Sequence, residues 1–91
     1  MKVKIEKSFD RDVSKVRDKK ILQTLYDFIP AIEGAKSIQE IRHIKKIEGY
    51  GSFYRIKLGD YRLGIEKISS HEILLSRFLH RKDIYRYFPK K

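Results

Sequence analysis

Apolar and polar residues alternate through Phe53-Tyr54-Arg55-Ile56-Lys57-Leu58 and again through Tyr61-Arg62-Leu63-Gly64-Ile65-Glu66, with Gly59-Asp60 between them. A period of two is the mark of a half-buried strand, and a Gly-X pair between two such runs specifies a two-residue hairpin. That turn pairs Leu58 with Tyr61, Lys57 with Arg62, Ile56 with Leu63 and Arg55 with Gly64. Side chains alternate across a strand. Tyr54, Ile56, Leu58, Tyr61, Leu63 and Ile65 therefore share one face, and Arg55, Lys57 and Arg62 share the other. Like charges directly opposite each other destabilise a hairpin. Lys57 against Arg62 is a local cost that an anion placed between them would turn into a binding site. By the same parity, Gly64 opposite Arg55 leaves open space on the basic face, where a base or ribose could lie.

The remaining patterning supplies the partners of this hairpin. Val3 and Ile5 alternate with Lys2, Lys4 and Glu6, which predicts a short strand. Ser8 is placed as an N-cap with Asp10 and Asp12 in the first turn of a helix carrying Phe9, Val13 and Val16. A stronger stripe, Ile21, Leu22, Leu25, Phe28, Ile29 and Ile32, predicts a second helix, with Pro30 near its end and Gly34 closing it. The charged run from Lys15 to Lys20 reads as the bend of a helical hairpin. Ser37-Ile38-Gln39-Glu40 has capping-box spacing and predicts a short helical turn, followed by an extended piece around His43 to Glu48. Glu72 to Leu79 is nearly continuous and apolar, the pattern of a central strand covered on both faces. The tail from His80 to Pro89 reads as a short terminal helix packed down by Ile84 and Phe88. The expected fold class is α+β: an N-terminal strand, a helical hairpin, an antiparallel three-strand meander and a short C-terminal helix, in two layers and one domain spanning residues 1–91.

Charge changes what the exposed face means. The 91 residues carry 22 Lys and Arg against 12 Asp and Glu, a formal net charge of +10. So basic a small domain repels itself when compact and favours anionic partners, nucleic acid first and an acidic protein next. With 41% hydrophobic residues it is not a disordered basic tail, and the absence of cysteine excludes disulfides and thiolate metal sites. The three histidines (His43, His71, His80) lie far apart without ligand spacing, so no metal is expected, and no cofactor motif is present. No apolar run reaches the roughly 20 residues of a membrane span. A cytoplasmic protein with no membrane partner is the expectation.

One chemistry uses a basic face beside a tail of His, Arg and Tyr. RNA cleavage by attack of the ribose 2′-hydroxyl on the adjacent phosphate needs a base, an acid and cations for the phosphorane charge. Arg55, Lys57 and Arg62 can supply the charge, and Arg77 is a further candidate phosphate binder. His80 can make either proton transfer, and Tyr85, or Lys57 among neighbouring cations, can serve as well. The competing reading is a solvated strand face for Arg55 and Lys57, and helix-start and packing roles for His80 and Tyr85.

The order of strand, helical hairpin, Tyr-Arg-Ile-Lys-Leu-Gly-Asp-Tyr-Arg-Leu-Gly, apolar strand and His-Arg-Lys-Asp-Ile-Tyr-Arg resembles the RelE/ParE superfamily of toxin–antitoxin toxins. The resemblance spans nearly the whole chain and is specific in its second half. It implies a metal-independent endoribonuclease (an mRNA interferase) that cuts messenger on the ribosome, with ribosome and mRNA as partners and an acidic antitoxin as inhibitor. The catalytic positions it implies fall on Arg55, Lys57, Arg62, Arg81 and Tyr85. His80 stands where HigB-like and YoeB-like members carry a C-terminal histidine. Arg55 stands where lysine is common, and a guanidinium neutralises phosphate without acting as a base. Sister proteins of the ParE type share the fold but inhibit DNA gyrase, the alternative activity; a third reading is an inactive toxin that only binds its antitoxin.

Overall fold

The computed structural model describes residues 1–89. Its order is β1 (Lys2–Ile5), α1 (Lys7–Lys15), α2 (Lys19–Gly34), a 3₁₀ turn (Ile38–Glu40), β2 (Ile44–Lys46), β3 (Phe53–Leu58), β4 (Tyr61–Ser69), β5 (Glu72–His80) and α3 (Ile84–Tyr87). The strands form one sheet in the order β1-β5-β4-β3-β2. The expected α+β class and meander hold, and the sheet is wider than the meander: β1 adds a strand parallel to β5, and β2 pairs antiparallel with β3.

The hairpin register is the one that parity dictates, with Leu58 opposite Tyr61, Lys57 opposite Arg62 and Arg55 opposite Gly64. Gly59 has φ +59° while Asp60 stays out of the left-handed region, the signature of a turn whose first central residue must be glycine. Ile56, Leu58, Leu63 and Ile65 turn inward to meet Ile21, Leu25 and Ile32 of α2, and Ile73, Leu75 and Phe78 of β5 complete the core. Asp18 caps α2, accepting hydrogen bonds from the backbone N–H groups of Lys20 and Ile21.

Helix α1 does more than cover the sheet. β1 ends at Ile5, so beyond Leu75 the edge of β5 would expose unpaired backbone groups. The Ser8 hydroxyl donates to the Ser76 carbonyl at 2.6 Å, and an Asp12 carboxylate oxygen accepts from the Phe78 N–H at 2.9 Å. Ser8 is therefore not an N-cap: the N-cap is Glu6, and Ser8 is spent on the strand edge. Asp12, expected in the first turn of the helix, lies beyond it and is buried. On the opposite face, Ile84 and Phe88 are buried outside the main core and hold the C-terminal segment down.

Candidate nucleic-acid interface

The sheet face away from α2 carries the charge. Arg55, Lys57 and Arg62 lie on it as the alternation requires, and the register adds Lys45, directly opposite Arg55. The Lys57 N–H is donated to His43 O on the β2 side, so Lys57 and Arg62 form a non-hydrogen-bonded pair. In such pairs the strands approach most closely, to about 4.5 Å between Cα atoms. Two like-charged cross-strand pairs, Lys45–Arg55 and Lys57–Arg62, thus stand side by side. Among the described residues, none of the four makes an ion pair.

Backbone carbonyls orient two of these side chains. Arg62 Nη1 donates to Gly59 O at 2.9 Å and Tyr61 O at 3.0 Å, which fixes the guanidinium on the hairpin turn. Its Nε and Nη2 edge has no partner among the described residues and can receive an anion in forked geometry. Arg55 Nη1 reaches His43 O at 3.4 Å. His43 has a left-handed backbone (φ 65°), and its carbonyl serves both Arg55 and Lys57.

The tail completes one end of this face. Tyr85, 59% exposed, borders a depression of about 190 Å³ with Lys45, Lys46, Ile47, Glu48 and Arg55. Ile47 and Tyr85 also border a larger groove of about 640 Å³, shared with Tyr50, Arg77, Arg86, Tyr87, Phe88 and Pro89. Tyr85 therefore joins the cations, at the Arg55 end. Arg81 sits at the other end: its N–H donates to Asp60 O, and its Nε lies 3.7 Å from the Asp60 carboxylate, both side chains being exposed.

Two expected members are placed differently. His80 pairs with Tyr61, so it lies on the helix side of the sheet, edge-on to the Tyr61 ring at 5.6 Å and beside Lys20 and Thr24 of α2. Its Nδ1 accepts from the Lys82 N–H. It does not gather with Arg55, Lys57 and Arg62. Arg77 lies opposite Gly64 on the basic face, but its guanidinium is a forked partner of Asp12, Nε to Oδ2 at 2.7 Å and Nη2 to Oδ1 at 3.0 Å. These hydrogen bonds, opposed by desolvation and helped by the carboxylate's charge, hold the Arg77 pKa above its ordinary value. Nor is the space above Gly64 open. The Phe88 ring fills it, and an added Cβ would meet that ring at 2.7 Å. Lys45 is the cation that sequence reasoning missed; its only signal is its register with Arg55. Among the described residues no cluster of His, Asp or Glu has the make-up of a metal site, and no helix is long and apolar enough to cross a membrane.

Comparison with known proteins relates the chain as a whole to toxins of toxin–antitoxin systems. A family model described as the ParE toxin of type II toxin–antitoxin systems matches residues 3–85. Toxin RelE3 of Methanocaldococcus jannaschii is 40% identical over 90 residues, covering 98% of this chain and 100% of that protein. The crystal structure of a RelB–RelE antitoxin–toxin complex from Methanococcus jannaschii contains a chain that superposes with a TM-score of 0.78 at 37% identity, covering 94% of this chain and 99% of that one. An archaeal RelE–RelB complex from Pyrococcus horikoshii shares the fold, with a TM-score of 0.69 at 24% identity over 91% of this chain and 97% of that one.

Proposed function

The chain belongs to the ParE toxin family of type II toxin–antitoxin systems, within the RelE/ParE superfamily, and from that membership we propose that its exposed basic face cleaves messenger RNA on the ribosome. The observation that carries the proposal is the doubled like-charge pairing, Lys45 against Arg55 and Lys57 against Arg62, on one exposed sheet face. Each pair costs folding energy in the free protein and becomes favourable when a phosphate lies between its members. A RelE-named relative at 40% identity supports the nuclease branch.

In this mechanism Arg55, Lys57 and Arg62 hold the scissile phosphate. The ribose 2′ oxygen attacks phosphorus, the bond to the 5′ oxygen breaks, and a 2′,3′-cyclic phosphate and a 5′-hydroxyl result. The extra negative charge of the phosphorane falls where the cations already stand, so they need not reorganise as it forms. Tyr85, beside Arg55, is the tail group placed to exchange a proton, and Arg81 contributes positive charge at the turn end. His80, on the other side of the sheet, is left outside the site. Ribosome and mRNA are the partners in cleavage, which places the protein in the cytoplasm. An acidic antitoxin is the resting occupant of the basic face; the relative from Methanococcus jannaschii is in complex with its RelB antitoxin.

The test is a purified translation system programmed with a defined messenger. The wild-type protein should cut ribosome-bound mRNA, and Arg62→Ala should cut about 10²–10³-fold more slowly, the usual cost of one transition-state donor. The ParE description of the matching family favours a second reading, gyrase inhibition. That reading predicts intact mRNA and a DNA-damage response on expression.

A further inference from the structure

Gly64 stands in the middle of β4, between Arg55 of β3 and Arg77 of β5, where glycine weakens a strand by roughly 0.5–1 kcal/mol. Its backbone does not demand glycine, since it is not among the residues of positive φ. What demands it is space: a Cβ would lie 2.7, 2.8 and 2.9 Å from Cδ2, Cε2 and Cγ of Phe88. These atoms span the ring out from its root, and the ring is buried (3% exposed) and T-shaped to the Phe53 ring, 5.5 Å between centres, so it cannot swing aside without leaving its seat.

The consequence reaches the tail. Helix α3 is four residues long, and one turn has no stability of its own. Ile84 and Phe88 are buried while Tyr85 and Tyr87 between them are more than half or half exposed, so the segment is placed by its two ends. A strut supports the second end: Asp12 grips Arg77, whose guanidinium carbon lies 5.5 Å from the Tyr87 ring centre. We infer that Gly64 is a notch and Phe88 its plug, and that this pair positions Tyr85 against Arg55 for the cleavage step. Gly64 and Phe88 are positioning residues, and the inference rests on the nuclease reading for its catalytic consequence.

Misplacing a reacting group by about 1 Å can cost 10²-fold in rate. Gly64→Ala and Phe88→Ala are therefore each expected to slow single-turnover cleavage by the order of 10²-fold, with half-saturating toxin concentration nearly unchanged because the sheet cations stay in place. The double variant should be no slower than Phe88→Ala alone, since the new methyl acts only through the ring. Phe88→Leu, a smaller apolar plug, should fall in between, and circular dichroism checks that each variant folds. Nuclear Overhauser contacts from the Tyr85 ring to the Lys45 and Arg55 side chains supply a readout independent of cleavage. They should be present in the wild type and lost in Gly64→Ala and Phe88→Ala. Full cleavage by Gly64→Ala, additive losses in the double variant, or Tyr85 contacts that survive Gly64→Ala would each overturn the inference. If the wild type cuts no RNA, the nuclease reading fails, and the Tyr85 contacts alone then decide whether the notch places the tail.

Discussion

Asp12→Ala should be among the most destabilising substitutions in this chain, although Asp12 lies on a nine-residue helix in a highly basic protein. Its carboxylate is 6% exposed and serves three donors, Nε and Nη2 of Arg77 and the Phe78 N–H. Removing it strands the Phe78 N–H at the β5 edge, at about 1–3 kcal/mol for an unsatisfied buried donor. It also leaves Arg77 charged without its partner. Breaking a fully buried pair costs about 3–5 kcal/mol, but the Arg77 side chain is 24% exposed and keeps part of its hydration, so the lower end applies. The combined loss is about 4 kcal/mol. For a domain of this size that lowers Tm by roughly 16–32 °C. Asp12→Asn keeps an acceptor for Phe78 but loses the charge, and should cost about half as much. Urea unfolding followed by far-ultraviolet circular dichroism measures both. A loss below about 1 kcal/mol for Asp12→Ala would refute the argument that α1 is bound to the sheet edge through this carboxylate. The pH dependence of the Arg77 side follows from its raised pKa. A raised basic group contributes stability that is complete below its unfolded value and lost as pH rises through its folded value. This contribution should be constant through neutral pH and vanish only in strong alkali.

The like-charge pairs make a prediction with two signs. Lys57→Gln should stabilise the free protein by about 0.2–1 kcal/mol, because a repulsive cross-strand pair is removed, while slowing RNA cleavage; a stability loss would contradict the reading of Lys57 and Arg62 as a strained pair. Raising salt should raise the wild-type Tm by screening these contacts, and the increment should shrink in Lys57→Gln, as thermal scans at about 0.05 and 0.5 M salt would show. His80→Ala should cleave ribosome-bound mRNA at close to the wild-type rate, since the imidazole lies on the helix side of the sheet; a loss comparable to that of Arg62→Ala would return His80 to the site.

The hairpin was legible in the sequence because its information is local. Alternation fixes which side chains share a face, Gly59-Asp60 fixes the turn, and together they fix every cross-strand pair from Leu58–Tyr61 outward. The helices were legible for the same reason, since their apolar stripes fall at helical spacing. What sequence missed depends on pairings between distant segments. The extended piece expected around His43 to Glu48 carries no mark of the strand it joins, so the pairing of Lys45 with Arg55 appears only with β2 beside β3. Asp12 and Arg77 are 65 residues apart, and nothing near either marks the other. His80 reads in sequence as the start of the tail helix beside the basic face, yet it is the last residue of β5, and its pairing with Tyr61 sends it to the other side of the sheet. The open space expected at Gly64 for a base or ribose is not open. Its occupant, Phe88, comes from the chain itself.

The most direct test of the basic face as a nuclease site is to map 5′ ends on a defined messenger held in purified ribosomes, with wild-type protein and with Arg62→Ala. The account predicts new 5′-hydroxyl ends at ribosome-bound codons with the wild type, formed about 10²–10³-fold more slowly by a folded Arg62→Ala protein. Uncut messenger with the wild type, or equal cutting by both proteins, would contradict it.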